Sequence, residues 1–154
     1  MTLLIEIPGL EPLELDYLVL DVNGTLSDRG SLLGGVDERI ASLRRDLEPM
    51  LLSADTFGTA ASIAASLGVT ATRAAGADEK LAALHQLGAS RCVAIGNGAN
   101  DASMLAEAAL GIAVIGPEGA STAAVRAADV VCRSIIEALD LLREPKALAA
   151  TLRR

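Results

Sequence analysis

The fold is decided by the segment Leu18-Val19-Leu20-Asp21-Val22-Asn23-Gly24-Thr25-Leu26. It opens with an apolar run, which is typical of a strand buried on both faces of a parallel sheet. It then brings a carboxylate, Asp21, to the mouth of that strand, with a glycine turn at Gly24 just beyond. This arrangement predicts that Asp21 is a nucleophile able to form a covalent intermediate, although an Asp that caps a turn would leave the same pattern.

Around this segment, from Tyr17 onward, short apolar runs alternate with Ala- and Leu-rich segments of helical length. Alternation of this kind is the pattern of a parallel sheet flanked by helices. The predicted strands cover residues 17–22, 50–54, 70–73, 92–95, 111–115 and 129–132. The predicted helices cover residues 37–46, 59–67, 78–87, 100–108, 119–127 and 134–142. We therefore expect one doubly wound α/β domain with a mainly parallel sheet.

The two ends of the chain are predicted to be additions to this core. Residues 3–9 and 13–15 read as two short strands around a Pro-Gly turn, which we expect to form an antiparallel addition at the sheet edge. The predicted organisation is a β extension over 1–16, a catalytic core over 17–143 and a C-terminal tail or helix over 144–154.

Composition limits the function classes. The chain has 154 residues, of which 51% are hydrophobic and 21% charged, so it can bury a core of ordinary size. Its net charge of -7 argues against a surface for nucleic acid or anionic membranes. No apolar stretch approaches the ~20 residues of a membrane span, and no signal peptide is recognisable, so a cytoplasmic location is expected. Cys92 and Cys132 lie in apolar runs and are predicted to be buried thiols.

Three further segments carry candidate chemistry. Ser53 ends a predicted strand and suits a hydrogen bond to a phosphoryl oxygen, although Ser53-Ala54-Asp55-Thr56 is also a good helix N-cap sequence. Lys80 stands near the start of a predicted helix, where its local sequence alone favours a solvated lysine. The segment Gly96-Asn97-Gly98-Ala99-Asn100-Asp101 follows an apolar strand and is dense in the oxygen ligands that a hard cation prefers. The one histidine, His85, is predicted to be a surface or helix-packing residue.

These four segments, in this order, resemble the motifs of the haloacid dehalogenase superfamily of aspartyl-phosphate-forming enzymes. Asp21 and Thr25 match the first motif, Ser53 the second, Lys80 the third and the loop at 96–101 the fourth. Within that superfamily, residues 51–69 are most similar to the phosphorylation domain of P-type ATPases, and the resemblance covers roughly residues 17–143. The interval between Thr25 and Ser53 is too short for the ATPase nucleotide-binding domain and leaves little room for a cap domain, so a capless relative is expected.

The resemblance implies a set of site residues and one cofactor, Mg²⁺. The catalytic residues it implies are Asp21, Asn23, Thr25, Ser53 and Lys80. The residues it implies for the substrate phosphate are Gly24, Thr25, Ser53, Ala54, Lys80 and Asn100. The metal ligands it implies are Asp21, the backbone carbonyl of Asn23, Asn97 and Asp101. For Asp101 the alternative is a role in orienting waters and Lys80.

Two positions depart from the phosphatase pattern. Phosphatases of the superfamily carry Asp at the position of Asn23, where it acts as general acid and then as general base. Because an amide cannot exchange a proton, hydrolysis is expected to be slow. Asn97 stands where the family usually has an Asp that binds Mg²⁺, so metal affinity is expected to fall.

Several functions stay open at this point. The first is a Mg²⁺-dependent phosphohydrolase or phosphotransferase that acts through an aspartyl phosphate on Asp21. The second is a non-catalytic phosphate- or protein-binding module derived from such an enzyme. Carbon-halogen hydrolysis through a covalent aspartate, or an unrelated α/β binding domain, comes third. An open, capless site implies a large phosphorylated substrate or partial closure by a neighbouring subunit of a homo-oligomer, with no nucleic-acid or membrane partner.

Overall fold

The computed structural model describes residues 1–55 and 58–154. Thr56 and Phe57, which belong to the segment similar to P-type ATPases, lie outside the described residues. The strands are β1 (Leu3–Ile5), β2 (Leu13–Leu15), β3 (Tyr17–Asp21), β4 (Ser27–Asp28), β5 (Ser31–Leu32), β6 (Glu48–Ser53), β7 (Thr70–Arg73), β8 (Cys92–Gly96), β9 (Leu110–Val114) and β10 (Val130–Cys132). The helices are α1 (Val36–Leu43), α2 (Ala60–Leu67), α3 (Ala77–Leu87), α4 (Ala102–Glu107), α5 (Thr122–Ala127), α6 (Ile135–Arg143) and α7 (Pro145–Leu152).

Six parallel strands form the central sheet in the order β10-β9-β8-β3-β6-β7. From β3 the chain builds outward through β6 and β7, and it then returns to the other side of β3 for β8, β9 and β10. The strand order therefore reverses between β3 and β8. In open α/β sheets, ligands bind beyond the carboxyl ends of the strands at such a switch point.

Alternate residues of the central strands face two separate cores. Leu18 and Leu20 of β3 belong to the core that also holds α1, α2, α6 and α7, whereas Val19 faces the core formed with α3 and α4. All three side chains are fully buried. This two-sided burial explains why the central strands read as continuous apolar runs in the sequence.

The predicted doubly wound α/β fold is confirmed, and all six predicted strands are present with ends that differ by up to two residues. The predicted absence of a cap is confirmed as well. The chain between β3 and β6 forms only the β4-β5 hairpin, α1 and short connections, and α2 alone connects β6 to β7 within the described residues.

Two expectations about the peripheral elements are wrong. The N-terminal strands do turn at Pro8 and Gly9, but they form their own two-stranded sheet instead of extending the central one. This ribbon packs on α7, where Ile5 and Leu15 bury their side chains in the core. The helix predicted over 119–127 begins only at Thr122, because residues 116–119 form a tight turn ahead of it.

The remaining general expectations concern the membrane and the cysteines. Among residues 1–55 and 58–154, no helix has the length and apolar character that a bilayer crossing requires. Cys92 and Cys132 are both buried free thiols, as predicted, and burial raises the pKa of each to about 11.

Candidate active site

The four segments singled out in the sequence converge at the carboxyl edge of the sheet. Asp21 is the last residue of β3 and Ser53 the last residue of β6, on neighbouring strands. A short 3-10 turn, Ala99–Asp101, follows β8 on the other side of β3. Lys80 lies in the first turns of α3, which packs against that 3-10 turn.

A buried lysine joins two of these segments. The Nζ atom of Lys80 donates hydrogen bonds to Asp21 Oδ1 at 2.8 Å and to Asp101 Oδ1 at 2.7 Å. Lys80 and Asp101 are completely inaccessible, and Asp21 is 7% exposed. The expectation of a solvated lysine, which the local sequence favours, is therefore wrong. Only the tertiary fold supplies the two carboxylates that make its burial tolerable.

The three charges shift one another's proton affinities. Burial raises the pKa of Asp21 to about 6, the negative charge of Asp101 adds to this rise, and the hydrogen-bonded Lys80 and Thr25 offset it only in part. Burial by itself lowers the pKa of Lys80, but the two carboxylates outweigh it and hold that pKa above its usual value. Lys80 therefore keeps its positive charge, and it lies beside a carboxylate whose pKa is raised to about 6.

Thr25 links the first motif to the fourth. Its hydroxyl lies 3.0 Å from Asp21 Oδ2 and 3.2 Å from Asn97 Oδ1, so it stands between the two side-chain oxygens. Its amide donates to the Val22 carbonyl, and the amide of Gly24 donates to the Ser27 carbonyl. In this structure Gly24 and Thr25, which the resemblance assigns to substrate phosphate, use these groups to organise the loop after β3.

The carboxylate of Asp101 is fully engaged by protein groups. Its Oδ1 accepts from Lys80, while its Oδ2 accepts from the amides of Asn97 at 3.1 Å and Gly98 at 2.9 Å. A Cβ atom on Gly96 would lie 2.5 Å from Asp101 Cγ, so a glycine is required for this close approach. Of its two alternatives, the geometry favours the one in which Asp101 orients Lys80 over the one in which it binds metal.

Three oxygen donors suited to a hard cation lie at or just beyond the carboxyl ends of β3 and β8. They are the Asp21 carboxylate, the amide oxygen of Asn97 and the backbone carbonyl of Asn23, which accepts no hydrogen bond within the described part of the chain. No group of three His, Cys, Asp or Glu side chains among residues 1–55 and 58–154 is arranged to hold a metal ion. The fit of these residues to Mg²⁺ therefore depends on combining one carboxylate, one backbone carbonyl oxygen and one side-chain amide oxygen.

The second motif combines the two roles considered for it. The Oγ atom of Ser53 accepts from the amide of Asp55 at 2.8 Å, and Asp55 Oδ1 accepts from Ala60 at the start of α2 at 2.9 Å. The hydroxyl proton of Ser53 stays available for an oxygen of a substrate, and the amide of Ala54 makes no hydrogen bond within the described residues. The same turn thus starts a helix and presents two donors.

Asn100 and His85 are the remaining candidate residues. Asn100 is half-buried on the 3-10 turn, with its Oδ1 over Gly98. Asp28 and Arg29 pair with each other at the tip of the β4-β5 hairpin, at 2.9 Å. His85 is a surface residue paired with Glu107, as predicted.

Glu118 is a residue near the site that the sequence analysis did not single out. It lies on the turn between β9 and α5, and its Oε2 is 2.7 Å from the point where a Cβ atom on Gly24 would stand. Nothing in the local sequence Gly116-Pro117-Glu118-Gly119 indicates contact with the loop after β3.

Comparison with known proteins agrees with this geometry. A family model for haloacid dehalogenase-like hydrolases matches residues 5–109, which is more than half of the chain. The chain belongs to the haloacid dehalogenase-like hydrolases. The match ends after α4 and includes the first three motifs together with the loop at 96–101.

One relative by sequence and two solved structures are similar to this chain. It is 48% identical over 63 residues to an uncharacterized protein of Methanocaldococcus jannaschii, covering 41% of this chain and 68% of that protein. Its fold is similar to the cobalt-bound deoxy-D-mannose-octulosonate 8-phosphate phosphatase of Haemophilus influenzae, with a TM-score of 0.70, 18% identity and coverage of 88% and 91%. The Moraxella catarrhalis 3-deoxy-D-manno-octulosonate 8-phosphate phosphatase, in complex with magnesium ion, phosphate ion and KDO, gives a TM-score of 0.68, 20% identity and coverage of 89% and 92%. At these identities the two solved structures establish the fold of this hydrolase.

Proposed function

We propose that this protein is a Mg²⁺-dependent phosphohydrolase that forms a covalent aspartyl phosphate on Asp21. The observation that carries the proposal is the completely buried Lys80, bonded to Asp21 and Asp101 at the switch point of the sheet. A buried ion pair is a weak source of stability, since its desolvation cost is of the same order as its Coulombic gain. A lysine held beside a carboxylate with a raised pKa is typical of a catalytic site.

The reaction begins with attack of an Asp21 carboxylate oxygen on the phosphorus of the substrate. An oxygen-phosphorus bond forms to Asp21 as the bond to the leaving alkoxide or phenoxide breaks. Lys80 stabilises negative charge on the transferring phosphoryl oxygens, while Ser53 and the Ala54 amide orient them through hydrogen bonds. Water then attacks the phosphorus as the bond from Asp21 to phosphorus breaks, which restores the Asp21 carboxylate. The protons of the attacking water leave with the released phosphate, and the alkoxide or phenoxide takes its proton from solvent.

A divalent cation suits the same site. Asp21, the Asn23 carbonyl and the Asn97 amide oxygen would hold Mg²⁺, with Asp101 orienting Lys80 as described above. When bound, Mg²⁺ offsets charge on the phosphoryl oxygens and the attacking carboxylate. The magnesium and phosphate ions in the Moraxella phosphatase support a cation of this kind and a phosphate monoester as the substrate class.

The proposed enzyme is slow, because Asn23 cannot protonate a leaving group or deprotonate water. General acid and base catalysis by one positioned group contributes ~10²- to 10⁴-fold, and that contribution is absent at this position. Substrates with good leaving groups are therefore favoured. The capless site is open, which suits a large phosphorylated substrate or completion by a neighbouring subunit.

The test is hydrolysis of p-nitrophenyl phosphate, with Mg²⁺ and with EDTA, by the wild type and by Asp21→Asn. We expect Mg²⁺-dependent release of p-nitrophenol that Asp21→Asn abolishes. The matched control is Asp37→Asn, which removes the same charge from an exposed residue of α1 and leaves turnover unchanged. Turnover that survives in folded Asp21→Asn contradicts the assignment of the nucleophile. If the wild type neither releases p-nitrophenol nor forms a covalent phosphoryl adduct, the result would favour the non-catalytic binding module.

A further inference from the structure

We propose that Glu118 gives the divalent-cation site the carboxylate charge that it lacks at Asn97. The proposal rests on the proposed function, since it concerns the cation of the same site. It assigns a positioning role to a residue outside the four motifs. The substitution at Asn97 removes one negative charge from the candidate ligands, and the structure brings a different carboxylate to the same loop.

The turn that carries Glu118 is attached to both loops that meet at the cation site. Asn97 Nδ2 donates to the Gly119 carbonyl at 3.1 Å, and the Ser121 amide donates to the Asn97 carbonyl at 2.8 Å. A Cβ atom on Gly116 would lie 2.0 Å from the Gly24 carbonyl oxygen, so the turn backbone packs directly on the loop after β3. The turn is thus held in place at each end.

Within this frame the Glu118 side chain extends over Gly24. A Cβ atom on Gly24 would lie 2.7 Å from Glu118 Oε2 and 2.8 Å from Asn97 Nδ2, so the carboxylate and the amide lie on the same side of this glycine. Gly24 directly follows Asn23, whose carbonyl is a candidate ligand. The carboxylate therefore lies on the side of Gly24 that faces the amide nitrogen of Asn97, close to two of the three residues that carry proposed ligands.

The net charge of the site favours a role for the Glu118 carboxylate in cation binding. Asp21 and Asp101 share the single positive charge of Lys80, which leaves the cluster with a net charge of minus one. Glu118 forms no ion pair or hydrogen bond within residues 1–55 and 58–154, so its charge is not neutralised there. An uncompensated carboxylate beside the ligands attracts a divalent cation and replaces the charge that Asn97 does not supply.

The test is calorimetric titration of the full chain with Mg²⁺ alone. Glu118→Gln removes the charge and keeps the size of the side chain, while Glu11→Gln makes the same change at an exposed residue of the loop before β2. We expect Glu118→Gln to weaken Mg²⁺ binding ~10-fold, because the variant loses one full negative charge close to a divalent cation in partly screened surroundings. Glu11→Gln should bind Mg²⁺ like the wild type.

A second pair of variants tests the replacement itself. If Glu118 compensates for Asn97, then Glu118→Gln costs less affinity in a background that already carries Asn97→Asp. Equal Mg²⁺ affinity of Glu118→Gln and Glu11→Gln overturns the proposal, as does a wild type that binds no Mg²⁺. The proposed function is tested separately, because Asp21-dependent turnover with unchanged affinity in Glu118→Gln refutes the role of Glu118 alone. Loss of affinity in Glu118→Gln together with turnover that survives Asp21→Asn refutes the function alone.

Discussion

Asp21 is held in its charged form at a cost to the fold. Burial raises its pKa to about 6 from an ordinary value near 3.8, and the neighbouring Asp101 adds to the rise. A carboxyl group whose pKa is raised by folding destabilises the native state above that pKa, and the cost disappears as the pH falls toward the unfolded value. Burial of the ionised Asp21 therefore lowers the stability of the native state above pH 6.

Asp21→Asn should therefore raise the free energy of unfolding of the metal-free protein at pH 7.5, by about 1 to 3 kcal/mol. The gain should shrink as the pH is lowered through 6 toward 4, where Asp21 itself becomes protonated. Urea denaturation at several pH values measures it, with Asp37→Asn as the control. A variant that is no more stable than the wild type at pH 7.5 would contradict the conclusion that burial of the ionised Asp21 destabilises the fold.

Asn23 is the residue to which we attribute the slow turnover of the proposed enzyme. Asn23→Asp restores a group able to exchange protons at the mouth of β3, so hydrolysis of an activated phosphate ester should rise by about 10-fold or more. The initial rate with p-nitrophenyl phosphate and Mg²⁺ measures this. Gln86→Glu, on the exposed face of α3, makes the same amide-to-acid change away from the site and should leave the rate unaltered. A folded Asn23→Asp no faster than Gln86→Glu would show that another step limits turnover.

At this scale, prediction from the sequence succeeds where the residue ends a strand. The apolar run and its terminal Asp21 specify the position of that carboxylate by themselves. Lys80 is different, because it lies in a polar segment whose local pattern is that of an exposed residue and yet is completely buried. Glu118 is exposed, but its sequence does not indicate that it lies beside Gly24. Long-range contacts decide their positions. The resemblance to a family identifies Lys80, and neither the local pattern nor the resemblance identifies Glu118.

Among the elements, β9 and α4 approach each other closely at Gly111. A Cβ atom on this glycine would lie 2.1 Å from the backbone carbonyl oxygen of Leu105 in α4. Backbone cannot give way as a flexible side chain does. The spacing matters to the site because α4 continues directly from the turn that holds Asp101.

Gly111→Ala should therefore destabilise the protein by about 1 to 3 kcal/mol, the usual cost of overpacking a well-packed core. Gly34→Ala is the matched control, since a Cβ atom there meets nothing within 4 Å and its φ is not positive. Its stability should stay within about 0.5 kcal/mol of the wild type. Midpoints of urea unfolding at constant m value measure both. Equal midpoints for the two variants would contradict the close packing of β9 on α4.

The elements that the sequence predicts well are those with a strong hydrophobic period. The six central strands follow from apolar runs between turn residues, but the β4-β5 hairpin has only two residues in each strand and leaves no such signal. The turn of this hairpin depends on positive φ angles at Arg29 and Gly30, a backbone feature that is separate from any hydrophobic pattern. The two N-terminal segments are correctly predicted as strands, but the prediction that they extend the central sheet is wrong. The short β1 pairs with β2 and needs no partner strand in the central sheet.

The whole molecule assembles the site through its strand order. Asp21, Ser53 and Asp101 lie far apart in the sequence and meet because β3 is flanked by β6 and β8. The local sequence pattern predicts parallel strands but does not determine their order in the sheet. From the sequence, only the family resemblance therefore predicts that these three residues lie together, and the structure shows the strand order that brings them there. The absence of a cap is predicted from the short interval between Thr25 and Ser53, which leaves little room for one, and the structure confirms it.

The most direct test of this account is to locate the covalent phosphoryl group. The full chain is incubated with acetyl phosphate and Mg²⁺, quenched in acid and analysed by mass spectrometry of its peptides. We predict one phosphoryl group on Asp21, absent with EDTA and in Asp21→Asn, and persisting longer in the wild type than in Asn23→Asp. A phosphoryl group on any other residue, or turnover without any covalent intermediate, would contradict the account.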